Sequence, residues 1–149
     1  MSSAVRSMST PCGVPAMGAE TLVLDASVGV KWFKDEPGSD EAIALIDRLG
    51  AGTVALVVPA VFPHEVLDVA RRRYGASHAR RVWASFDAAG LVVAGVDASL
   101  IDATLAVAER FGCTVYDAAT PALAARLGCA FVSADRRAHG RMKRVRLIG

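Results

Sequence analysis

The sequence predicts an α/β domain whose central parallel sheet is covered by helices on both faces. Three observations predict it. Short apolar runs such as Leu22-Val23-Leu24 and Ala130-Phe131-Val132 alternate with longer amphipathic segments, as strands alternate with crossover helices. Gly or Pro punctuates most changes of pattern, at Gly50, Pro59, Gly75, Gly90, Gly112 and Gly128. The chain has 149 residues, 53% of them apolar, enough for one sizeable core. No apolar run approaches the ~20 residues that span a bilayer.

Residues 1–20 are rich in Ser, Pro, Gly and Met and lack periodicity, so a disordered N-terminal extension is expected there, with the domain at 21–149. No signal peptide is evident, and Met8 and Met17 are alternative starts. Thr21–Asp25 reads as a buried strand, and Ser27–Phe33 as a short helix or turn before Asp35-Glu36-Pro37-Gly38. Ser39 suits the N-cap of a helix whose apolar face is Ala42, Leu45, Ile46 and Leu49. Ala55–Val58 is the second strand. A helix from Val61 to Tyr74 takes Pro63 in its first turn and buries Phe62, Val66, Val69 and Ala70. The next helix, Ser77 to Ala89, turns Val82, Trp83 and Phe86 inward, and Leu91–Val96 reads as an edge strand. Asp97 caps a helix through Phe111. Cys113–Tyr116 reads as a strand ending at Asp117. The helix after it carries Leu123, Ala124 and Leu127 inward, and Pro121 implies that it effectively starts at Thr120. Ala130–Ser133 is a strand, Asp135 opens a short basic segment, and Val145–Ile148 is a last edge strand.

The net charge is only +2, but its distribution is uneven. Bases cluster at Arg71-Arg72-Arg73, at Arg80-Arg81 and from Arg136 to Arg146. Such clusters suit phosphate backbones, or equally a solvated helix face or tail. Of the last cluster, Arg136, Arg137, Arg141 and Lys143 are the candidates for gripping a nucleic-acid backbone. Cys12, Cys113 and Cys129 are odd in number and form no CxxC pattern, which argues against a disulfide scaffold or zinc site and for a reducing compartment. Cys113 and Cys129 read as small buried hydrophobes at strand entrances.

The chemistry points to carboxylates. Asp25, Asp117 and Asp135 are each expected at the C-terminal end of a strand, where sites form in parallel sheets. Glu65, at a helix start, can reach the same edge. Each aspartate alone is equally a helix cap. However, Asp117 and Asp135 are the only acidic residues after Arg110, which a merely solvated surface would not favour. Crowded carboxylates stay ionised together only beside a cation, and hard oxygen donors suit Mg²⁺ or Mn²⁺. Ser27 and Ser133, two residues from Asp25 and Asp135, are placed to orient carboxylates or metal-bound water, or to satisfy turn backbone. No Walker loop, GxGxxG or GxSxG is present. His64, His78 and His139 lack ligand spacing, and Trp32 and Trp83 read as core.

These residues fall in an order that resembles the PIN-domain ribonucleases, specifically the VapC-like toxins of bacterial toxin–antitoxin pairs. The resemblance runs through Leu24-Asp25-Ala26-Ser27-Val28, Lys31-Trp32-Phe33, Val58-Pro59-Ala60 with Glu65, Tyr116-Asp117-Ala118-Ala119 and Ser133-Ala134-Asp135-Arg136-Arg137. It implies a three-layer α/β/α sandwich and metal-dependent cleavage of RNA. Asp25, Glu65, Asp117 and Asp135 fall on its acidic quartet as catalytic and metal-binding residues. It also implies a cytoplasmic homodimer and a VapB-like antitoxin that blocks the site. Ser133 stands where the family often has threonine, which keeps the hydroxyl, whereas Pro121 and the N-terminal extension depart from the family pattern. Two alternatives remain: a PIN-like binding module held by antitoxin and operator DNA, and a nuclease acting on DNA.

Overall fold

The computed structural model describes residues 17–149; the expected extension lies outside the described residues as far as residue 16. Five strands form one sheet: β1 (Glu20–Leu24), β2 (Val54–Val58), β3 (Val92–Val93), β4 (Ala130–Ser133) and β5 (Val145–Leu147). Their order is β3-β2-β1-β4-β5 and every pairing is parallel. β1 therefore sits centrally, and the chain winds outward from it to both sides. Its residues alternate faces as a pleated strand must: Leu22 and Leu24 enter one core, Val23 the other. All three are at most 1% exposed, and burying each such side chain is worth roughly 1.5–3 kcal/mol.

The first core lies under α1 (Ala26–Gly29), a 3₁₀ turn at Val30–Trp32, α2 (Ser39–Gly50), α3 (Phe62–Tyr74) and α4 (Ala76–Ala89). The second lies under α5 (Ala98–Phe111) and α6 (Val115–Leu127), with Met142 beyond α7 (Arg136–His139). The result is the α/β/α sandwich that alternating strands and helices imply. Among the described residues no helix is long and apolar enough to cross a membrane. The Lys31-Trp32-Phe33 stretch is structural. Lys31 is buried, with Nζ 3.0 Å from Glu36 Oε1 and 2.6 Å from the Pro37 carbonyl. Trp32 Nε1 donates to the Ala42 carbonyl at 2.8 Å, and its ring packs edge-on to Phe86.

Several expectations change. Cys113–Tyr116 is not a strand. Thr114 is an N-cap, its hydroxyl accepting from Asp117 N at 3.0 Å, and α6 begins at Val115. Val115 and Tyr116, β-formers by type, are 45% and 62% exposed and pair with no strand, and the Thr114 cap opens a helix there. The helix does not wait for Thr120 but runs through Pro121. Cys113 accordingly stands before a helix and Cys129 before β4; both are free and half-buried against the second core. Ser39 is not the cap of α2. Gly38, at φ 89°, holds that position, and the buried Ser39 hydroxyl instead closes the preceding loop, donating to Lys34 O and accepting from Glu36 N, both at 3.0 Å. Leu123 and Ala124 are inward, but Leu127 is 46% exposed at the last turn of α6. The third strand shrinks to Val92–Val93, with Ala94 still donating to the Val58 carbonyl.

Candidate active site

The strand order reverses beside β1, between β2 and β4, and the carboxyl ends of β1 and β4 open a crevice there. Asp25 follows β1 directly. Its backbone N–H continues the ladder to the Val132 carbonyl at 3.0 Å, which fixes the side chain at the edge. It is also the N-cap of α1: Oδ2 accepts from Ser27 N at 3.0 Å and from Ser27 Oγ at 2.6 Å. Oδ1 accepts from Thr120 Oγ1 at 3.2 Å, a contact from α6 across the second core. Cap and site are thus the same residue, held by donors from two elements.

The two serines lace the start of α1 to the end of β4. Ser27 Oγ accepts from Ala134 N, and Ser133 Oγ accepts from Asp135 N, each at 3.0 Å, with the two hydroxyls 3.4 Å apart. Asp135 follows β4 by two residues and caps α7, its Oδ1 accepting from Ala138 N at 2.9 Å. Asp117 arrives differently from the sequence expectation: it lies in the first turn of α6, not at a strand end. Glu65 lies in the first turn of α3, after Pro63. Desolvation, then the negative charges of Asp25 and Asp117, push its carboxyl up to about 7. Water still reaches the residue, so the site is a crowded rim and not a dry cavity.

Asp25, Glu65 and Asp117 therefore share one electrostatic neighbourhood. Asp135 is not among the charges acting on Glu65, and is tied to the others through Ser133 and the β4 turn. Among the described residues none of the four carboxylates forms an ion pair. Nor are any three His, Cys, Asp or Glu side chains there grouped closely enough to hold a metal ion as they stand. Arg136 and Arg137 are exposed on α7 beside Asp135, and Lys143 is exposed beyond it. Arg141 donates to the Phe111 carbonyl at 3.3 Å, at the end of α5 just before Asp117. Arg71 and Arg72 pair with Asp68 on their own helix, the solvated face that such a cluster equally suits.

Sequence reasoning missed two residues. Thr120 lies three positions after Asp117, a spacing that shares a helix face, but reading the helix as starting at Thr120 concealed it. His139 is fully buried and reaches the Asp117 carbonyl, and no local signal marks it. The misread strand did carry a signal: Thr114-x-x-Asp117 has the spacing of a capping box.

An acidic rim at the switch point of an α/β/α sandwich defines the class, and the family follows. The PIN-domain model matches residues 22–145, and the chain belongs to that family. Its fold is also that of solved toxins. A toxin–antitoxin complex from Klebsiella pneumoniae superposes with a TM-score of 0.67 at 13% identity, covering 84% of this chain and 95% of that one. VapC20 from Mycobacterium tuberculosis, a toxin that cleaves the sarcin–ricin loop, gives 0.65 at 16% identity over 80% and 93%. VapBC2 of Rickettsia felis, bound to a fragment of its promoter DNA, gives 0.66 at 12% identity over 85% and 96%. No curated protein matches by sequence.

Proposed function

We propose that this protein is the toxin of a toxin–antitoxin pair, an endoribonuclease that hydrolyses RNA phosphodiesters in the cytoplasm with Mg²⁺ or Mn²⁺. One observation carries the reading: Asp25, Glu65 and Asp117 share one electrostatic neighbourhood without an ion-pair partner among the described residues, and the two aspartates add to the desolvation that pushes Glu65 up. The donor set is all oxygen, which fits a hard divalent cation. Asp25, Glu65, Asp117 and Asp135 would hold it. When bound, the cation supplies an acidified water and charge stabilisation for the leaving oxygen.

The chain's own residues do the rest. Ser27 and Thr120 fix the Asp25 carboxylate by three hydrogen bonds, so it points without reorganising. Ser133 sets the turn that presents Asp135. Arg136 and Arg137, exposed beside Asp135, would grip the RNA backbone, with Arg141 and Lys143 extending the basic surface. A VapB-like antitoxin and a second copy of the chain complete the proposed assembly.

Replacing Asp25 or Asp117 by Asn should lower cleavage of single-stranded RNA by about 100-fold or more, with circular dichroism unchanged, since each removes a charge that the cation needs. Wild-type rates in either folded variant would sink the assignment. Single-stranded DNA run in parallel tests the polymer. The basic clusters and Pro121 allow one other reading, a binding module with little catalysis. Calorimetry decides: a wild type that fails to bind Mn²⁺ is the module.

A further inference from the structure

We propose that His139 is a positioning residue for Asp117, standing in for the backbone amide that Pro121 removes from α6. The inference rests on the reading of Asp117 as a site carboxylate and goes beyond it. Pro121 lies inside α6, four residues after Asp117. An unbroken helix would satisfy the Asp117 carbonyl with the N–H of residue 121, and proline has none. That carbonyl meets His139 Nε2 at 2.7 Å. A carbonyl only accepts, so Nε2 carries the ring hydrogen. Nδ1 lies 2.7 Å from Ser133 Oγ and accepts from that hydroxyl.

His139 is fully buried, with its ring edge-on to Phe131 at 5.3 Å, so its orientation is fixed by packing as well as by both bonds. Ser133 in turn accepts from Asp135 N. One ring therefore ties the turn that presents Asp135 to the first turn of α6 that presents Asp117. These are the two acidic residues that the strand order alone does not bring together. Pro121, a departure in sequence, is one half of the device, since it opens the carbonyl for a long-range donor.

The test is a cycle on the full-length protein: His139→Phe, which fills the space without either bond, Pro121→Ala, which restores the amide, their double variant, and His139→Gln, which keeps a donor. Two readouts are taken: Mn²⁺ affinity by calorimetry, and hydrogen exchange of the amides of Asp117–Thr120 without metal. His139→Phe should weaken Mn²⁺ binding at least tenfold and speed that exchange. The double variant and His139→Gln should recover most of both, a rescue that loss of packing would not show. The proposal is overturned if His139→Phe matches the wild type in exchange, or if Pro121→Ala gives no recovery. A wild type that binds no Mn²⁺ sinks the metal reading alone, and the exchange cycle still decides. If His139→Phe does not fold, His139→Leu, which also lacks both bonds, against His139→Leu/Pro121→Ala is read the same way.

Discussion

Glu65 shows at the scale of one residue how burial and crowding act at the site. Its carboxyl is pushed up to about 7 from 4.5 by desolvation and then by Asp25 and Asp117. The folded protein therefore holds this proton more tightly than the unfolded chain does. The resulting stabilisation is full below pH 4.5 and is lost as pH rises through about 7. In metal-free protein Glu65→Gln should melt near the wild-type temperature at pH 4.5 and above it at pH 8. Melting curves in chelator at the two pH values test this, and equal melting temperatures at pH 8 would remove the proposed crowding. Asp97 is an instructive contrast. Hydrogen bonds from Arg126 hold its carboxyl well below the usual range, and it serves the start of α5. The sequence marks Asp97 and Asp25 alike as caps; only their partners separate a cap from a site.

Among the elements, α1 and α3 set the distance between Asp25 and Glu65, and Gly29 sets the distance between α1 and α3. A Cβ on Gly29 would lie 2.5 Å from Phe62 Cζ and 2.9 Å from Val66 Cγ2. Both side chains are wholly buried and flank Glu65 along α3, so neither can swing away. Its backbone, at φ −61°, is ordinary helix, so the constraint is close approach alone. Gly29→Ala should destabilise the fold by about 1–3 kcal/mol, as overpacking does, read as a lower denaturation midpoint in urea. An unchanged midpoint would mean that α1 and α3 separate freely. Element types were legible where the hydrophobic period agreed with the sheet, as in β1, α2 and α5. They were not legible at Cys113–Tyr116, where residue type favoured a strand and the Thr114 cap made a helix.

For the whole molecule, the winding order places the crevice. With β2 and β3 on one side of β1 and β4 and β5 on the other, one edge gathers residues from the start, middle and end of the chain. The exposed Arg136 and Arg137 lie at that edge, outside the cores. Replacing both by Ala should weaken RNA binding while leaving the melting temperature unchanged. Each lost phosphate contact should flatten the salt dependence of log affinity by about 0.7. Fluorescence anisotropy over a salt series, in an Asp25→Asn background to prevent cleavage, measures it. An unaltered slope would place the RNA elsewhere.

The sequence by itself determined the α/β class and the order of most elements, and it singled out the four carboxylates proposed for the site. Those follow from hydrophobic period, turn residues and the ordered resemblance, all of which are local or linear. Only the tertiary structure decided how Asp25, Glu65 and Asp117 come into one neighbourhood. It brought Asp117 in on a helix, set Thr120 against Asp25 across 95 residues of chain, and put the buried His139 on the carbonyl that Pro121 leaves open. The physical reason is that a buried polar group must find a partner. Which partner it finds depends on what packing places within about 3 Å, and no linear pattern encodes that.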